Sequence, residues 1–404
     1  MRLLVFVVAS LCGSLVPATG IAQERPVTRR DAIEAALLRG PRLALARSDS
    51  AAAHADVALA RQFDNPALTL EHTRSTPRQH ATVAFPLWLP TQRSLQLRSA
   101  GARLDAATLR TRFEREAVAF DADTNYTNAL VARERARLST RSATDADSLV
   151  TLARVRRDAG DASELDVQLA ALSAGQFANV AALDSLQATS ALLAVQAAMG
   201  LSTRTLSIVL SDALDEGDPP GDAASGTPIL LAAAEDEVRA SELSLSRERG
   251  RLFAQPAVTV GFERQEPGGT GNQLLPTIGF SIPFPLFNRN GAGILAAQAQ
   301  RDRASAQLSL ARVELNAALS LAERDRTIAR ARFERAQTLV GVADRVAGLS
   351  LLAYREGAST LPVVLEAQRS ARDTRTQSVE AMGALRTATA RLRLLSLSSN
   401  GSRG

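Results

Sequence analysis

The chain has 404 residues, and 47 basic residues against 42 Asp and Glu give it a net charge of +5. Every basic residue is an arginine, which excludes chemistry that needs lysine, such as a Walker A phosphate loop, a Schiff base or a Ser-Lys dyad. Three histidines and one cysteine leave few ligands for a metal and few groups for proton transfer near neutral pH. Acidic residues are interleaved with the arginines, so no nucleic-acid-binding patch is predicted, and the composition argues against an enzyme or a bound cofactor.

The first 22 residues have the pattern of a cleaved signal peptide. Arg2 precedes an apolar run from Leu3 to Val16, and Gly20-Ile21-Ala22 supplies small residues at a cleavage site. Cys12 lies inside the apolar run directly after the large Leu11, so we interpret the segment as a signal peptide without lipid attachment. After it, no run of about 18 uncharged apolar residues predicts a transmembrane helix.

Prolines divide the mature chain into long helical stretches. None occurs from Thr91 to Asp218 or from Leu286 to Leu361, and both stretches are rich in residues that favour helices. We predict long helices over about 91–157 and 288–356, each roughly 100 Å long at about 1.5 Å per residue. Shorter helices are predicted over 28–62, 163–199, 227–253 and 360–396.

Two short segments rich in proline and aromatic residues, 66–88 and 256–285, predict β-hairpins. In each hairpin, apolar side chains alternate with small or polar ones over strands of roughly ten residues. This alternation is typical of transmembrane barrel strands, although a hairpin half-buried on a soluble core has it as well. The positions predicted to face lipid are Leu68, Leu70, Val83, Phe85, Val258, Val260, Phe262, Ile278, Phe280 and Ile282.

The chain contains an internal duplication. Arg61–Leu70 is similar to Arg251–Val260, and Pro86–Leu89 is similar to Pro283–Leu286, at a nearly constant spacing. We therefore predict a first repeat at 23–200, a linker at 201–226, a second repeat at 227–397 and a polar tail at 398–404. The expected fold is mainly α with membrane β, built from two tandem repeats of long helices plus a hairpin.

Four strands are too few for a closed membrane barrel, which starts near eight strands. An open sheet in lipid would leave unpaired edges at a high free-energy cost. Copies must therefore associate if the hairpins enter a membrane, and three copies would supply twelve strands. The alternative from the residues alone is a periplasmic coiled-coil scaffold whose hairpins stay outside the membrane.

Four motifs carry a resemblance to a known family: Asn65–Leu68, Pro283–Asn290, Tyr354–Leu361 and Val364–Arg369. With them, residues 28–397 resemble the outer-membrane efflux family, the TolC-type channels, and are most similar to its heavy-metal CzcC/CusC-like branch. The resemblance implies a homotrimer with a 12-stranded β-barrel in the outer membrane of a Gram-negative-type bacterium. A helical barrel would extend this channel into the periplasm.

The same resemblance implies partners and a passive role. The channel would contact outer-membrane lipid, a periplasmic adaptor (membrane fusion) protein and an inner-membrane RND-type pump. It would conduct the substrate of that pump, heavy-metal cations or drugs, to the exterior. A type I secretion channel has the same architecture and stays open as an alternative, as does the non-pore scaffold.

The resemblance also implies a periplasmic aperture at the helix tips, Arg157–Val167 and Tyr354–Glu366. By motif, Asp166 matches the tip aspartate of the family, and Tyr354 matches the tyrosine that packs near it. Glu366 falls on an acidic pore position. We predict a cation-favouring ring of Glu366, reinforced by Glu164 and Asp166. The alternative is that these are solvated acids near a helix start.

Two positions depart from the family pattern. Val363 stands at the second acidic pore position, and Ser359 stands where some members have an arginine. These departures argue against a double acidic ring and against the tyrosine–arginine–aspartate latch of the family. His72 and His80 flank the turn of the first hairpin; with no third ligand nearby, we interpret them as surface histidines at the barrel rim, and no metal site is predicted.

Overall fold

A computed structural model describes residues 25–74, 79–204, 208–215, 226–251, 255–264, 274–282 and 287–399. The predicted signal peptide lies outside the described residues, as do parts of the linker and of the polar tail. In chain order the elements are β1 (Arg25–Val27), α1 (Arg29–Arg39), α2 (Pro41–Arg61), β2 (Ala67–His72), β3 (Gln79–Pro86), α3 (Pro90–Asp158), α4 (Glu164–Ala198), β4 (Ile208–Leu210), α5 (Ile229–Gly250), β5 (Ala257–Arg264), β6 (Leu274–Ser281), α6 (Gly291–Arg355) and α7 (Leu361–Leu395).

The two long helices α3 and α6 set the length of the molecule. They contain 69 and 65 residues, which corresponds to about 100 Å each at ~1.5 Å per residue. Both are built from strong helix formers, and Pro90 at the start of α3 supplies a helical φ where no N–H donor is needed. The expected mainly helical fold with a small membrane-type sheet is confirmed.

The predicted helix over 28–62 is instead two helices. Gly40 ends α1, with its N–H donating to the carbonyl of Ala36 at 2.8 Å, and Pro41 begins α2. Because proline has no N–H and its ring clashes with the preceding turn, the hydrogen-bond ladder of α1 cannot run through it. Helices α1 and α2 are therefore separate segments, and both lie along α3.

The helices lie side by side in a fixed order. Nearest the strands, the main contacts join α2 to α3, α3 to α5, and α5 to α6; nearest the helix tips, they join α4 to α3, α3 to α7, and α7 to α6. Helices α2 and α4 therefore form one lateral edge of the protomer, and α6 forms the other. Many of the buried residues between the helices are alanine or serine, which permits close packing.

The four hairpin strands form one antiparallel sheet in the order β2-β3-β5-β6. The two hairpins, far apart in the sequence, meet along β3 and β5, with Val83 opposite Val260. The strands are 6 or 8 residues long, shorter than the roughly ten residues expected, and residues 75–78 and 265–273, where the turns were predicted, lie outside the described residues. Within the described chain, β2 and β6 are the edge strands of this sheet.

A second, two-stranded sheet was not predicted. β1 pairs in parallel with β4, which lies inside the segment expected to be a linker. The phenol of Tyr126, buried on α3, donates to the carbonyl of Val27 at 2.9 Å, and Arg133 donates to the carbonyl of Leu210 at 2.7 Å. Strand β1 and the inter-repeat segment that contains β4 are thus bound to the middle of α3.

Candidate functional site

The two helical hairpins end in turns of the same design. Gly160 lies two residues after the end of α3 and has a φ of +85°, and Gly357 lies two residues after the end of α6 and has a φ of +78°. In both turns the next residue returns a hydrogen bond to the helix: the N–H of Asp161 donates to Arg156 O at 2.8 Å, and that of Ala358 donates to Ala353 O at 2.7 Å. A side chain with a Cβ is strained at such a φ, so glycine is favoured at both tips.

The predicted aperture residue Asp166 takes part in a helix cap. The N–H of Asp166 donates to Ser163 Oγ at 3.1 Å, and the N–H of Ser163 donates to Asp166 Oδ2 at 3.0 Å. This is a capping box, which satisfies two free backbone donors at the start of α4. Asp166 therefore orders the first tip whatever its position relative to a pore.

The predicted residue Glu164 is paired within its own hairpin. It accepts from Arg157 Nη1 at 2.9 Å and from Gln168 Nε2 at 2.8 Å. The hydrogen bond from Gln168, followed by that from Arg157, lowers the pKa of the Glu164 carboxyl. Its charge is thus partly neutralised by a neighbour on the same tip.

Glu366 has a different environment. It is exposed one turn into α7, and no ion-pair partner is found for it among the residues that the structure describes. Among the described residues, Glu164 is thus paired with an arginine and Asp166 is engaged in the helix cap, whereas the Glu366 carboxylate has neither kind of partner. Val363, three residues earlier and on the same helix face, is also exposed, at 53%.

Tyr354 is held by an arginine that sequence reasoning missed. The ring is buried at 3% exposure, and Arg156 Cζ lies 4.6 Å from its centroid. Arg156 Nη1 donates to the backbone carbonyl of Tyr354, and Nη2 donates to the carbonyl of Asp161 at 3.3 Å. One guanidinium therefore joins the end of α6 to the α3–α4 turn. No arginine was expected beside Tyr354 because Ser359 occupies the family position; the structure places Arg156, from the other helical hairpin, against it.

Burial also changes the acidity of this tyrosine. It raises the pKa of the Tyr354 phenol, and the nearby charge of Asp166 raises it further, while Arg156 acts in the opposite direction. The phenol oxygen is buried and has no hydrogen-bond partner among the described residues. Tyr354 thus contributes its ring, rather than its hydroxyl, to the contact between the two tips.

The sheet has one apolar and one polar face. Side chains alternate in register, so that Leu68, Val83, Val260 and Ile278 form one row across all four strands. We call this the apolar face; the other is the polar face, which carries mostly Thr, Ala, Gly and Ser. The structure places these predicted lipid-facing positions on the apolar face of the sheet: Leu68, Leu70, Val83, Phe85, Val258, Val260, Phe262, Ile278 and Phe280. Ile282 directly follows β6 and is 52% exposed.

Each lateral edge carries an exposed apolar stripe. On α4 the stripe consists of Leu165, Leu172, Leu183 and Leu186; on α6 it consists of Leu295, Leu310, Val313, Leu321, Ile328, Leu339, Val342, Val346 and Leu349. The spacings are close to multiples of 3.6 residues, so each set shares one helix face. Helix α4 is also the one helix in the described chain that is long and apolar enough to cross a membrane by length and composition.

The geometry defines a class of protein: long helices packed side by side, joined at one end to a short antiparallel sheet with an exposed apolar face. The Campylobacter jejuni CmeC outer membrane channel has this fold, with a TM-score of 0.77, 13% identity, and coverage of 91% of this chain and 85% of that chain. Residues 226–396 match the family model for outer membrane efflux proteins.

Two relatives match over most of this chain. The cobalt-zinc-cadmium resistance protein CzcC of Cupriavidus metallidurans is 25% identical, covering 88% of this chain and 87% of the relative. The nickel-cobalt-cadmium resistance protein NccC of Alcaligenes xylosoxydans xylosoxydans is 27% identical, covering 71% and 67%. The second half of the chain therefore matches the outer membrane efflux protein model, and the resemblance predicted from the motifs of the chain, including the similarity to the heavy-metal branch, is confirmed.

Proposed function

We propose that this protein is the outer-membrane channel of a tripartite efflux system and that it passively conducts heavy-metal cations to the exterior. The observation that carries the proposal is the pair of unlike free edges on one protomer. One edge combines β2, α2 and α4; the other combines β6 and α6. Because the two edges differ, each one can be covered by the opposite edge of a neighbouring copy, so we expect one copy on each side.

The sheet gives the strongest reason for association. In a bilayer, the unpaired N–H and C=O groups of β2 and β6 would each cost several kcal/mol. Pairing β6 of one copy with β2 of the next satisfies both edges and repeats by rotation, so the ring closes. Three copies, the number that the family resemblance implies, give twelve strands, which is enough for a barrel.

The helical edges support the same arrangement. The stripe on α6 lies on the β6 side, and the stripe on α4 lies on the β2 side, so a neighbour that pairs the strands can also cover both stripes. Burying large apolar side chains contributes about 1.5–3 kcal/mol each. The apolar face of the sheet would then meet outer-membrane lipid, while the helices would extend about 100 Å into the periplasm.

The tips would form the periplasmic aperture. Glu366 is our candidate for its charged ring because its carboxylate is exposed and uncompensated within the described protomer. Glu164 and Asp166 would add negative charge near it, although both are engaged in local bonds, and Tyr354 would position the second tip through Arg156. Rings of acidic side chains favour cations.

The cargo and the partners rest on the relatives. Both CzcC and NccC are named as metal resistance proteins, which supports cobalt, nickel, zinc or cadmium as cargo over drugs or secreted protein. A periplasmic adaptor and an inner-membrane RND-type pump would deliver the metal, because a passive channel has no energy source of its own. A type I secretion channel would share the architecture and is distinguished by cargo.

The test is conductance of the purified mature protein in a planar lipid bilayer. We expect discrete, long-lived, cation-preferring steps that multivalent cations block. Glu366→Gln should weaken both the cation preference and the block. Glu356→Gln is the matched control, since Glu356 is an exposed acid at the same tip, and it should change neither property.

Two results would contradict the proposal. A well-folded oligomer that never inserts into the bilayer would favour the periplasmic scaffold. A Glu366→Gln channel with unchanged cation preference and unchanged block would remove Glu366 from the aperture. For cargo, deletion of the gene should sensitise cells to cobalt, nickel, zinc or cadmium; sensitivity to drugs alone, or loss of a secreted protein, would overturn the metal assignment.

A further inference from the structure

The polar face of the sheet gathers its ionisable residues into one row. Glu71 on β2 is the Cα partner of His80 on β3, and His80 is the Cα partner of Glu263 on β5. All other positions on this face of the described strands are occupied by uncharged residues. The row lies at the ends of the strands next to the hairpin turns, opposite the helices.

The three residues of this row are neighbours across the sheet, and two of their side chains are in contact. His80 Nδ1 lies 3.4 Å from Glu263 Oε1, and both side chains are partly buried, at 24% and 30% exposure. Glu71 flanks His80 from the other side, and directly opposed residues in antiparallel strands have Cβ atoms about 4.5–5.5 Å apart. In the strand register, His80 therefore lies between two acidic residues supplied by two different hairpins, and its imidazole contacts one of them, Glu263.

We infer that His80 and Glu263, with Glu71 beside them, form a weak binding site for a divalent transition-metal cation at the outer end of the sheet. Imidazole nitrogen together with carboxylate oxygen suits Ni²⁺, Co²⁺ and Zn²⁺, whereas Mg²⁺ and Ca²⁺ prefer oxygen ligands alone. The two carboxylates favour a cation at this point.

The site has few ligands from the protein. Among the described residues, no three His, Cys, Asp or Glu side chains converge closely enough as they stand to enclose a metal. His80 and Glu263 are therefore the direct ligands, and Glu71 adds negative charge and reaches the metal through water. A cation held by so few ligands dissociates readily, which is what conduction requires.

The sequence did not indicate this site because its members are far apart in the chain. His72 and His80 frame the first hairpin and suggest a pair, yet the structure separates them. His72 belongs to the apolar face and His80 to the polar face, since they fall in opposite phases of the alternation. The carboxylate near His80 comes instead from the second hairpin.

Calorimetric titration of the full mature protein in detergent with Ni²⁺ at pH 7.5 tests the inference. Wild-type protein should bind one Ni²⁺ per chain. His80→Ala should weaken binding by at least about tenfold, in line with the loss expected when groups around a metal are removed. Glu263→Gln, which preserves shape, should also weaken it and covers the case in which the histidine variant folds poorly.

His72→Ala is the matched control, because it removes a histidine from the same hairpin on the other face. It should bind Ni²⁺ as wild type does. Absence of Ni²⁺ binding by wild-type protein, or equal losses in His72→Ala and His80→Ala, would overturn the site. Unchanged binding by both His80→Ala and Glu263→Gln would do the same, and would leave the row as an ion pair between hairpins.

The place of this site in an exit path rests on the proposed channel function, but the binding itself does not. Bilayer conductance of His80→Ala separates the two ideas. Normal conductance steps with lost Ni²⁺ binding support both the channel and the site. Ni²⁺ binding by a wild-type protein that forms no conducting steps would contradict the channel and keep the site.

Discussion

Replacement of Arg156 by alanine should loosen the connection between the two helical tips. Its guanidinium stacks 4.6 Å from the Tyr354 ring centroid and donates to the carbonyl of the same residue. A hydrogen bond from a charged group contributes about 1.5–3 kcal/mol, and the cation–π contact about 0.5–1 kcal/mol. Because Arg156 is partly exposed, we take the lower end, about 2 kcal/mol, which corresponds to roughly a thirtyfold shift toward separated tips.

The assay is a distance measurement between spin labels on the two tips. Cys12 is the only cysteine in the chain, so a mature protein cleaved after residue 22 offers a cysteine-free background for Ala159→Cys with Ala358→Cys. Arg156→Ala should lengthen and broaden the distance distribution and raise the open probability in bilayers.

Arg157→Ala is the matched control for this prediction. It removes the same charge from the next position, but Arg157 pairs with Asp158 and Glu164 of its own hairpin. The distance between the tips should therefore stay as in wild type. Equal distance distributions for Arg156→Ala and Arg157→Ala would refute the bridging role of Arg156, because the loss of one positive charge at the tip would then explain the change in distance.

Three further outcomes are expected. Tyr354→Phe should leave the free energy of unfolding within about 0.5 kcal/mol of wild type and keep the tips together, because the hydroxyl lacks a hydrogen-bond partner in the described structure. Unfolding by denaturant measures this free energy, and a loss above about 2 kcal/mol would reveal a hydrogen bond of the hydroxyl. Ile278→Arg on the apolar face should lower the stability in lipid by about 2–4 kcal/mol and reduce the amount of assembled protein in outer-membrane fractions, whereas Thr277→Arg on the polar face should assemble. Equal amounts of the two assembled variants would refute the assignment of the faces. Burial raises the pKa of the Asp236 carboxyl, so its ionised form destabilises the fold above the ordinary aspartate pKa. Asp236→Asn should therefore be more stable at pH 7, by up to about 0.5 kcal/mol, and the difference in melting temperature should vanish near pH 3; a constant difference across pH would contradict this assignment.

Local patterns determined much of this protein. Alternation with a period of two was enough to assign Val83, Phe85 and Val260 to one face, because successive side chains on a strand point to opposite sides. The absence of proline and the abundance of helix-forming residues over the segments that became α3 and α6 indicated that both segments are helical. These signals depend only on residues next to each other in the chain.

Local breaks were harder to place. The single helix predicted over 28–62 overlooked the effect of Gly40-Pro41, where the structure begins a second helix. The parallel pairing of β1 with β4 left little trace, since each strand has only 3 residues and its partner lies far away in the chain. Strands of that length have no periodicity to detect.

The sequence alone determined the fold class and the alternating faces, because side-chain alternation and helix propensity act over a few residues. Only the tertiary structure decided which distant groups meet. It brought Arg156 onto Tyr354 and His80 between Glu71 and Glu263. Those contacts depend on helix order and strand register, which arise from packing across the whole protomer, and packing follows no pattern within a short stretch of sequence.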